Sequence, residues 1–161
     1  MSELARVFIF GDDVDTDTIA PSGYLHLPIE AQKKHCLESI YDGFSDAVKE
    51  GDIIVAGENF GNGSSREQAP LILKTLGIRA IFARSFSRLF FRNAINVGLY
   101  PGIIRGNYEL KDGDEVQVDL LNHMILSAKS EILFIPPDGI ALEIINSGGM
   151  VEYARKMLGK N

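Results

Sequence analysis

The segment Asn59-Phe60-Gly61-Asn62-Gly63-Ser64-Ser65-Arg66-Glu67 gathers groups that suit a small acidic ligand. Its glycines permit tight turning and a close backbone approach. A helix is expected to begin inside it, and a helix N-terminus offers unpaired amide donors and partial positive charge. Arg66, expected in the first helical turn, adds a planar fork for bidentate carboxylate binding. Ser64 and Ser65 supply two hydroxyls that can bond a substrate or move a proton. A structural reading competes, because Ser64-Ser65-Arg66-Glu67 also fits a capping box in which Ser64 caps the helix and Glu67 reaches back. Spacing alone favours the cap for Ser64. The segment is not a phosphate loop, since it lacks the Lys-Ser/Thr ending, and its G-x-G has no third glycine.

The second candidate is Gly11-Asp12-Asp13-Val14-Asp15-Thr16-Asp17-Thr18-Ile19. An EF-hand loop starting at Asp13 would need glycine at its sixth place and glutamate at its twelfth, where Thr18 and Tyr24 stand. Calcium is rejected, and a turn with aspartates bonded to nearby amides is the plainer expectation. In the third segment, Arg84 to Asn93, the apolar residues read as core and Ser85 or Ser87 as a helix cap. Arg84, Arg88 and Arg92 read as a basic cluster facing solvent or a partner. His35 and His123 are expected on the surface, and no histidine pair has metal-ligand spacing. His26 lies in a loop marked by Pro21, Gly23 and Pro28.

These segments must be held by a modest fold. The chain has 161 residues, 45% apolar and 24% charged, with a net charge of −6. That excludes the basic footprint of a nucleic-acid binder and fits one domain spanning residues 1–161. Cys36 is the single cysteine, so no disulfide or cysteine cluster can form within the chain. No apolar run is long enough to span a membrane, and residues 1–6 lack the pattern of a signal peptide. A cytoplasmic protein is expected.

Strands are expected at 7–10, 53–56 and 80–83, and helices at 66–76 and 87–97, stopped by Gly77 and Gly98. One or two short helices fall within 30–50. This alternation predicts an α/β core with parallel pairing. Further on, 115–120 and 124–127 form an expected hairpin, 132–135 another strand, and 140–146 and 150–158 two helices.

Together the segments resemble the small subunits of the isopropylmalate isomerase and homoaconitase family, equivalent to the mobile C-terminal domain of aconitase. The resemblance rests on Asp15-Thr16-Asp17-Thr18-Ile19 with Tyr24-Leu25, and on Asn59 to Glu67. Ser85-Phe86-Ser87-Arg88-Leu89-Phe90 with Asn93, and Gly98-Leu99-Tyr100-Pro101, complete it. It implies an aconitase swivelling-domain fold: a mostly parallel core sheet with a smaller C-terminal β-hairpin and helices. It also implies a hydro-lyase that moves a hydroxyl between adjacent carbons of a hydroxy diacid, as in isomerising 2- and 3-isopropylmalate for leucine biosynthesis. A [4Fe-4S] cluster would act as Lewis acid on the departing hydroxyl. Such a cluster needs several thiolates, so it is expected on a large subunit, with none bound by this chain and no metal ligand within it. The expected assembly is a heterodimer or heterotetramer.

By the same resemblance Ser64 is the base that removes the proton alpha to a carboxylate, and Asp17 the acidic active-site residue. Ser65 and Arg66 would bind substrate carboxylate, and Asp15 would be structural. The loop after Tyr24-Leu25 is the expected specificity element. There an arginine suits an extra carboxylate and an apolar residue suits an isopropyl group. His26-Leu27 matches neither cleanly; Leu27 favours an apolar group and His26 leaves room for a polar one, so the expectation is 3-isopropylmalate, with citramalate, homocitrate-type and dimethylmalate substrates as alternatives. A non-catalytic anion-binding domain is the competing class. A self-sufficient enzyme is disfavoured, because no complete catalytic set can be assembled from these residues.

Overall fold

The computed structural model describes residues 3–159. Seven strands close into a barrel: β1 (Glu3–Ile9), β2 (Ile53–Ala56), β3 (Ala80–Ala83), β4 (Tyr100–Arg105), β5 (Glu115–Asp119), β6 (Met124–Leu126) and β7 (Glu131–Ile135). The order around it is β1-β2-β3-β4-β7-β6-β5. Neighbours from β1 to β4 pair in parallel, and the other four pairings are antiparallel. Helices α1 (Thr16–Ile19), α2 (Ile29–Gln32) and α3 (Phe44–Ala47) lie between β1 and β2. Helix α4 (Gln68–Leu76) connects β2 to β3, α5 (Arg88–Asn96) connects β3 to β4, and α6 (Gly139–Asn146) and α7 (Met150–Met157) follow β7. Among the described residues no helix is long and apolar enough to cross a membrane.

Side-chain alternation explains the two cores. Successive residues of a strand point to opposite faces. Val7, Ile53, Val55, Ala80 and Phe82 fill the barrel, while Phe8, Ile54, Ala56, Ile81 and Ala83 face the helical layer. β2 and β3 are therefore buried at every position, as parallel strands covered on both faces must be. β7 alternates buried and exposed residues, with Ile132 and Phe134 inside and Leu133 outside. Leu133 and Ile135 on the outer face are exposed, so the sequence, apolar from Ile132 to Ile135, alternates less cleanly than its burial.

The structure corrects two expectations about the sheet. It is mixed and closed rather than mostly parallel, because the N-terminal half of β1 pairs with β5 (Ala5 opposite Val116). The C-terminal hairpin is thus an integral wall of the barrel. β4 is a strand beyond those expected, and it contains Pro101 and Gly102, both poor residues for a strand interior. Pro101 is tolerated because pairing of β4 with β7 starts only at Ile103, so near Pro101 only β3 is a neighbour. Gly102 makes room for aromatic packing: a Cβ there would stand 2.6 Å from Phe82 and 3.2 Å from Phe134. Those two rings pack at 4.6 Å between centroids inside the barrel.

Parallel pairing also gathers the candidate segments. β1 to β4 all end at the same mouth of the barrel. The loops leaving β1 and β2 at that mouth carry the Asp15–Asp17 and Asn59–Glu67 segments.

Candidate functional site

The two loops run side by side. Asp13 N–H donates to Glu58 O at 2.8 Å, Gly61 N–H to Val14 O at 2.6 Å, and Thr16 N–H to Asn62 O at 2.9 Å. Side chains reinforce this ladder: Asp12 Oδ1 accepts from Glu58 N–H at 2.7 Å, and Asn59 Nδ2 donates to Asp13 Oδ1 at 3.0 Å. Asp13 and Asn59 both adopt left-handed φ, 57° and 61°, a conformation that Asp and Asn tolerate better than most residues.

The glycine spacing follows from what the second loop touches. A Cβ on Gly61 would lie 2.2 Å from Phe90, and its φ is 82°. Phe60 packs edge-on against Phe90 at 5.2 Å. Ser87 caps α5, accepting from Phe90 N–H at 3.2 Å while donating to Gly61 O at 2.9 Å. The loop bearing Ser64 is thereby anchored to both the β1 loop and the start of α5. Ser85 has a different job, accepting from Asn59 N–H and donating to Glu58.

Arg66 is the centre of the polar cluster. Its Nη1 donates to Asp17 Oδ1 at 2.8 Å and to Ala20 O at 3.0 Å. Asp17 Oδ1 also accepts from Ser22 N–H at 3.1 Å. The Arg66 hydrogen bond first, and the Ser22 amide second, hold the Asp17 carboxyl below its usual range. Asp17 is therefore an anion at neutral pH, and the pair is lost only as pH falls through that lowered value. Nε and Nη2 of Arg66 have no protein partner among the described residues, which leaves one edge of the fork open. Asp15 is structural, capping α1 by accepting from Thr18 N–H and Thr18 Oγ1, both at 2.7 Å.

Ser64 does not cap a helix. α4 starts at Gln68, and its cap position, Glu67, makes no side-chain cap bond. Pro70 is the reason. A helix starting at Ser65 would put Pro70 in its interior, where the ring clashes with the carbonyl four residues back and removes a hydrogen bond. Starting at Gln68 places Pro70 in the first turn, where the missing N–H has no intrahelical partner anyway. Arg66 accordingly precedes the helix. Freed from capping, the exposed Ser64 places its Oγ 3.2 Å from Thr16 Oγ1. Ser65 is exposed beside it with no hydrogen bond among the described residues.

The structure thus brings Asp17, Ser64 and Arg66 together with Ser65 adjacent. It also adds Thr16, which the sequence signals only by its place between two aspartates, 48 residues from Ser64. His26 and Leu27 lie further along the loop that starts where Arg66 grips Ala20. A short 3-10 turn (Ser22–Tyr24) precedes them, and buried Gln32 Nε2 binds the carbonyls of Leu25 at 3.4 Å and Leu27 at 2.8 Å. Tyr24 stacks on His35 at 3.6 Å. His26 is exposed, and no hydrogen bond joins its side chain to Ser64, Asp17 or Arg66 among the described residues. The basic cluster is divided: Arg84 binds Gly106 O at 2.9 Å and lies over the Tyr108 ring. Arg88 and Arg92 remain exposed on α5.

This surface can grip a carboxylate with Arg66 and present hydroxyls to a proton next to it, but it forms only one wall. Asp17, Ser64 and Ser65 are all exposed. A cavity of about 640 Å³ at the same mouth is lined by Tyr108, Lys111, Ser127 and Lys129, and takes in none of the candidate residues. The donor set for an iron–sulfur cluster does not fit either. Cys36 is fully buried, and burial pushes its thiol far above the usual range, against the thiolate a cluster needs. Among the described residues no three His, Cys, Asp or Glu side chains could hold a metal ion together.

The family model for the aconitase C-terminal domain matches residues 27–104. A methanogen homoaconitase small subunit from Methanocaldococcus jannaschii is 50% identical over 155 residues, covering 94% of this chain and 90% of its own length. A 3-isopropylmalate dehydratase small subunit from Thermotoga maritima is 46% identical, covering 94% and 93%. A solved structure of 3-isopropylmalate dehydratase from Methanocaldococcus jannaschii superposes with a TM-score of 0.92 at 47% identity, over 98% of this chain and 96% of that one. With a TM-score of 0.92 to that structure and 46–50% identity to these small subunits over 94% of its length, this chain belongs to the aconitase C-terminal domain family, among the small subunits of its hydro-lyases.

Proposed function

We propose that this chain supplies half of the active site of a [4Fe-4S] hydro-lyase that isomerises 2- and 3-isopropylmalate by dehydration and rehydration. The observation that carries the reading is the cluster of Ser64, Arg66 and Asp17 on an open surface at the mouth of the barrel. Arg66 presents its free edge to a substrate carboxylate. Asp17 holds that guanidinium in place from the other side, as an anion that orients rather than as a proton donor. Ser65 adds a hydroxyl to the carboxylate site. Ser64 removes the proton from the carbon alpha to that carboxylate.

The second wall belongs to a large subunit, which also carries the cluster. One cysteine, buried and held protonated, supports this division. The whole chain then acts as one swivel-type domain of a heterodimer or heterotetramer in the cytoplasm.

Substrate choice rests on the loop of His26 and Leu27. Relatives of similar identity carry different substrate names, so overall likeness does not choose between them. Leu27 suits an isopropyl group, which supports 3-isopropylmalate. The 50% identity to a homoaconitase subunit and the imidazole of His26 support homocitrate-type substrates as the second reading.

The test is kcat/KM of the reconstituted pair against 3-isopropylmalate, citramalate, dimethylmalate and homocitrate. His26→Arg is expected to shift the ratio of homocitrate to 3-isopropylmalate upward by about 10-fold or more, the worth of one charge-assisted hydrogen bond. Unchanged ratios would remove His26 from the specificity element.

A further inference from the structure

We propose that Thr16 is a positioning residue for proton transfer: its hydroxyl donates to Ser64 Oγ and stabilises that oxygen as an alkoxide. The proposal rests on Ser64 being the base, and it addresses what that assignment lacks. A serine hydroxyl is a weak base unless its deprotonated form is stabilised. The charges nearest in sequence are occupied or displaced. Arg66 Nη1 is engaged by Asp17 and Ala20, and α4 begins only at Gln68. Thr16 is the one side chain hydrogen-bonded to Ser64 among the described residues, at 3.2 Å.

Donation from Thr16 follows from burial. Thr16 is 2% exposed, and an unsatisfied buried hydroxyl is costly. Among the described residues its proton has no acceptor other than Ser64 Oγ, whereas exposed Ser64 can turn its own proton toward solvent or substrate. The backbone fixes the geometry. Thr16 N–H is bound to Asn62 O at 2.9 Å, and Thr16 O accepts from Ala20 N–H at 2.8 Å. β-branching then restricts χ1. Gly63, with φ 101°, keeps the approach clear, because a Cβ there would stand 3.2 Å from Thr16 Oγ1.

In the reaction the Ser64 alkoxide takes the proton alpha to the carboxylate and becomes a hydroxyl. It returns the proton to that carbon when the alkene is hydrated in the reverse direction. Thr16 keeps its proton throughout. Its hydrogen bond is stronger to the alkoxide than to the hydroxyl, so it raises the fraction of serine in the basic form at a given pH.

The test uses the assembled pair with 3-isopropylmalate and homocitrate as probes. Thr16→Val keeps the shape and removes the donor, and is expected to lower kcat about 10- to 100-fold with little change in KM. The limb of the pH profile on which activity rises with pH should move to higher pH. Thr16→Ser keeps the donor and should restore most of the rate. A second measurement needs no turnover: in the pair carrying Ser64→Cys, the pH at which iodoacetamide labels the introduced thiol should rise when Thr16→Val is added, because the thiolate loses a donor. A Thr16→Val enzyme with parental kcat and pH profile would overturn the proposal while leaving Ser64 as base. Equal losses in Thr16→Val and Thr16→Ser, with the limb unmoved and the labelling pH unchanged, would also overturn it by assigning Thr16 to packing. Full activity in Ser64→Ala would remove the base assignment itself, and this proposal with it.

Discussion

Ser64→Ala is expected to lower kcat of the assembled enzyme by about 10²- to 10⁴-fold, the usual contribution of a positioned base. KM should change little, because the proposed grip on the carboxylate is Arg66 and not Ser64. Exchange of the substrate proton alpha to that carboxylate with solvent should slow in parallel. Folding should survive. Ser64 is exposed, it caps no helix, and its side chain makes one hydrogen bond among the described residues, to Thr16. Leaving the Thr16 hydroxyl unpaired costs about 1–2 kcal/mol, which lowers Tm by only a few degrees in a chain of this size. Co-purification with the large subunit and the thermal melt check assembly. Steady-state kinetics and hydrogen–deuterium exchange check chemistry. Kinetic parameters and exchange close to those of the parent would reject the assignment.

The second large effect is at Arg66. Its open edge offers two charge-assisted hydrogen bonds to a carboxylate, each worth about 1.5–3 kcal/mol. Arg66→Gln is therefore expected to reduce kcat/KM by roughly two to four powers of ten, mostly through KM. Arg66→Lys should recover little. An ammonium is a point charge that cannot bind Asp17, Ala20 and a substrate carboxylate in one plane. The substitution also frees Asp17, whose carboxyl should return toward the ordinary range once its principal partner is gone. A carboxyl chemical-shift titration reads this directly. Substrate saturation unchanged in Arg66→Gln would place the carboxylate elsewhere.

The local elements were legible where one chemical rule dominated. The runs 53–56 and 80–83 are apolar at nearly every position and became strands buried on both faces. Ser87 before an apolar helix became its cap. Sheet closure was not legible, because it depends on Ala5 meeting Val116 across more than a hundred residues, and no local pattern encodes that pairing. β4 was hidden by Pro101 and Gly102, whose usual meaning is reversed by a one-sided ladder and by Phe82 and Phe134 filling the space beside glycine. At the site, the capping-box pattern of Ser64 and Glu67 suggested a helix start that Pro70 forbids within the same segment. Attention to that proline would have released Ser64 from the cap. The Thr16 contact had no comparable signal, since it arises from two loops laid side by side by parallel strands.

On the proposed function, this chain holds a serine, a guanidinium and their supports while the remaining catalytic groups lie on another polypeptide. The most direct measurement is dehydration of 3-isopropylmalate and homocitrate by the purified chain alone, by the purified large subunit alone, and by the two mixed after anaerobic iron–sulfur reconstitution. Alkene formation is expected only in the mixture, with iron and sulfide bound to the large subunit. Turnover by the isolated small chain, or a cluster assembled on it, would mean that the site is not divided between two polypeptides.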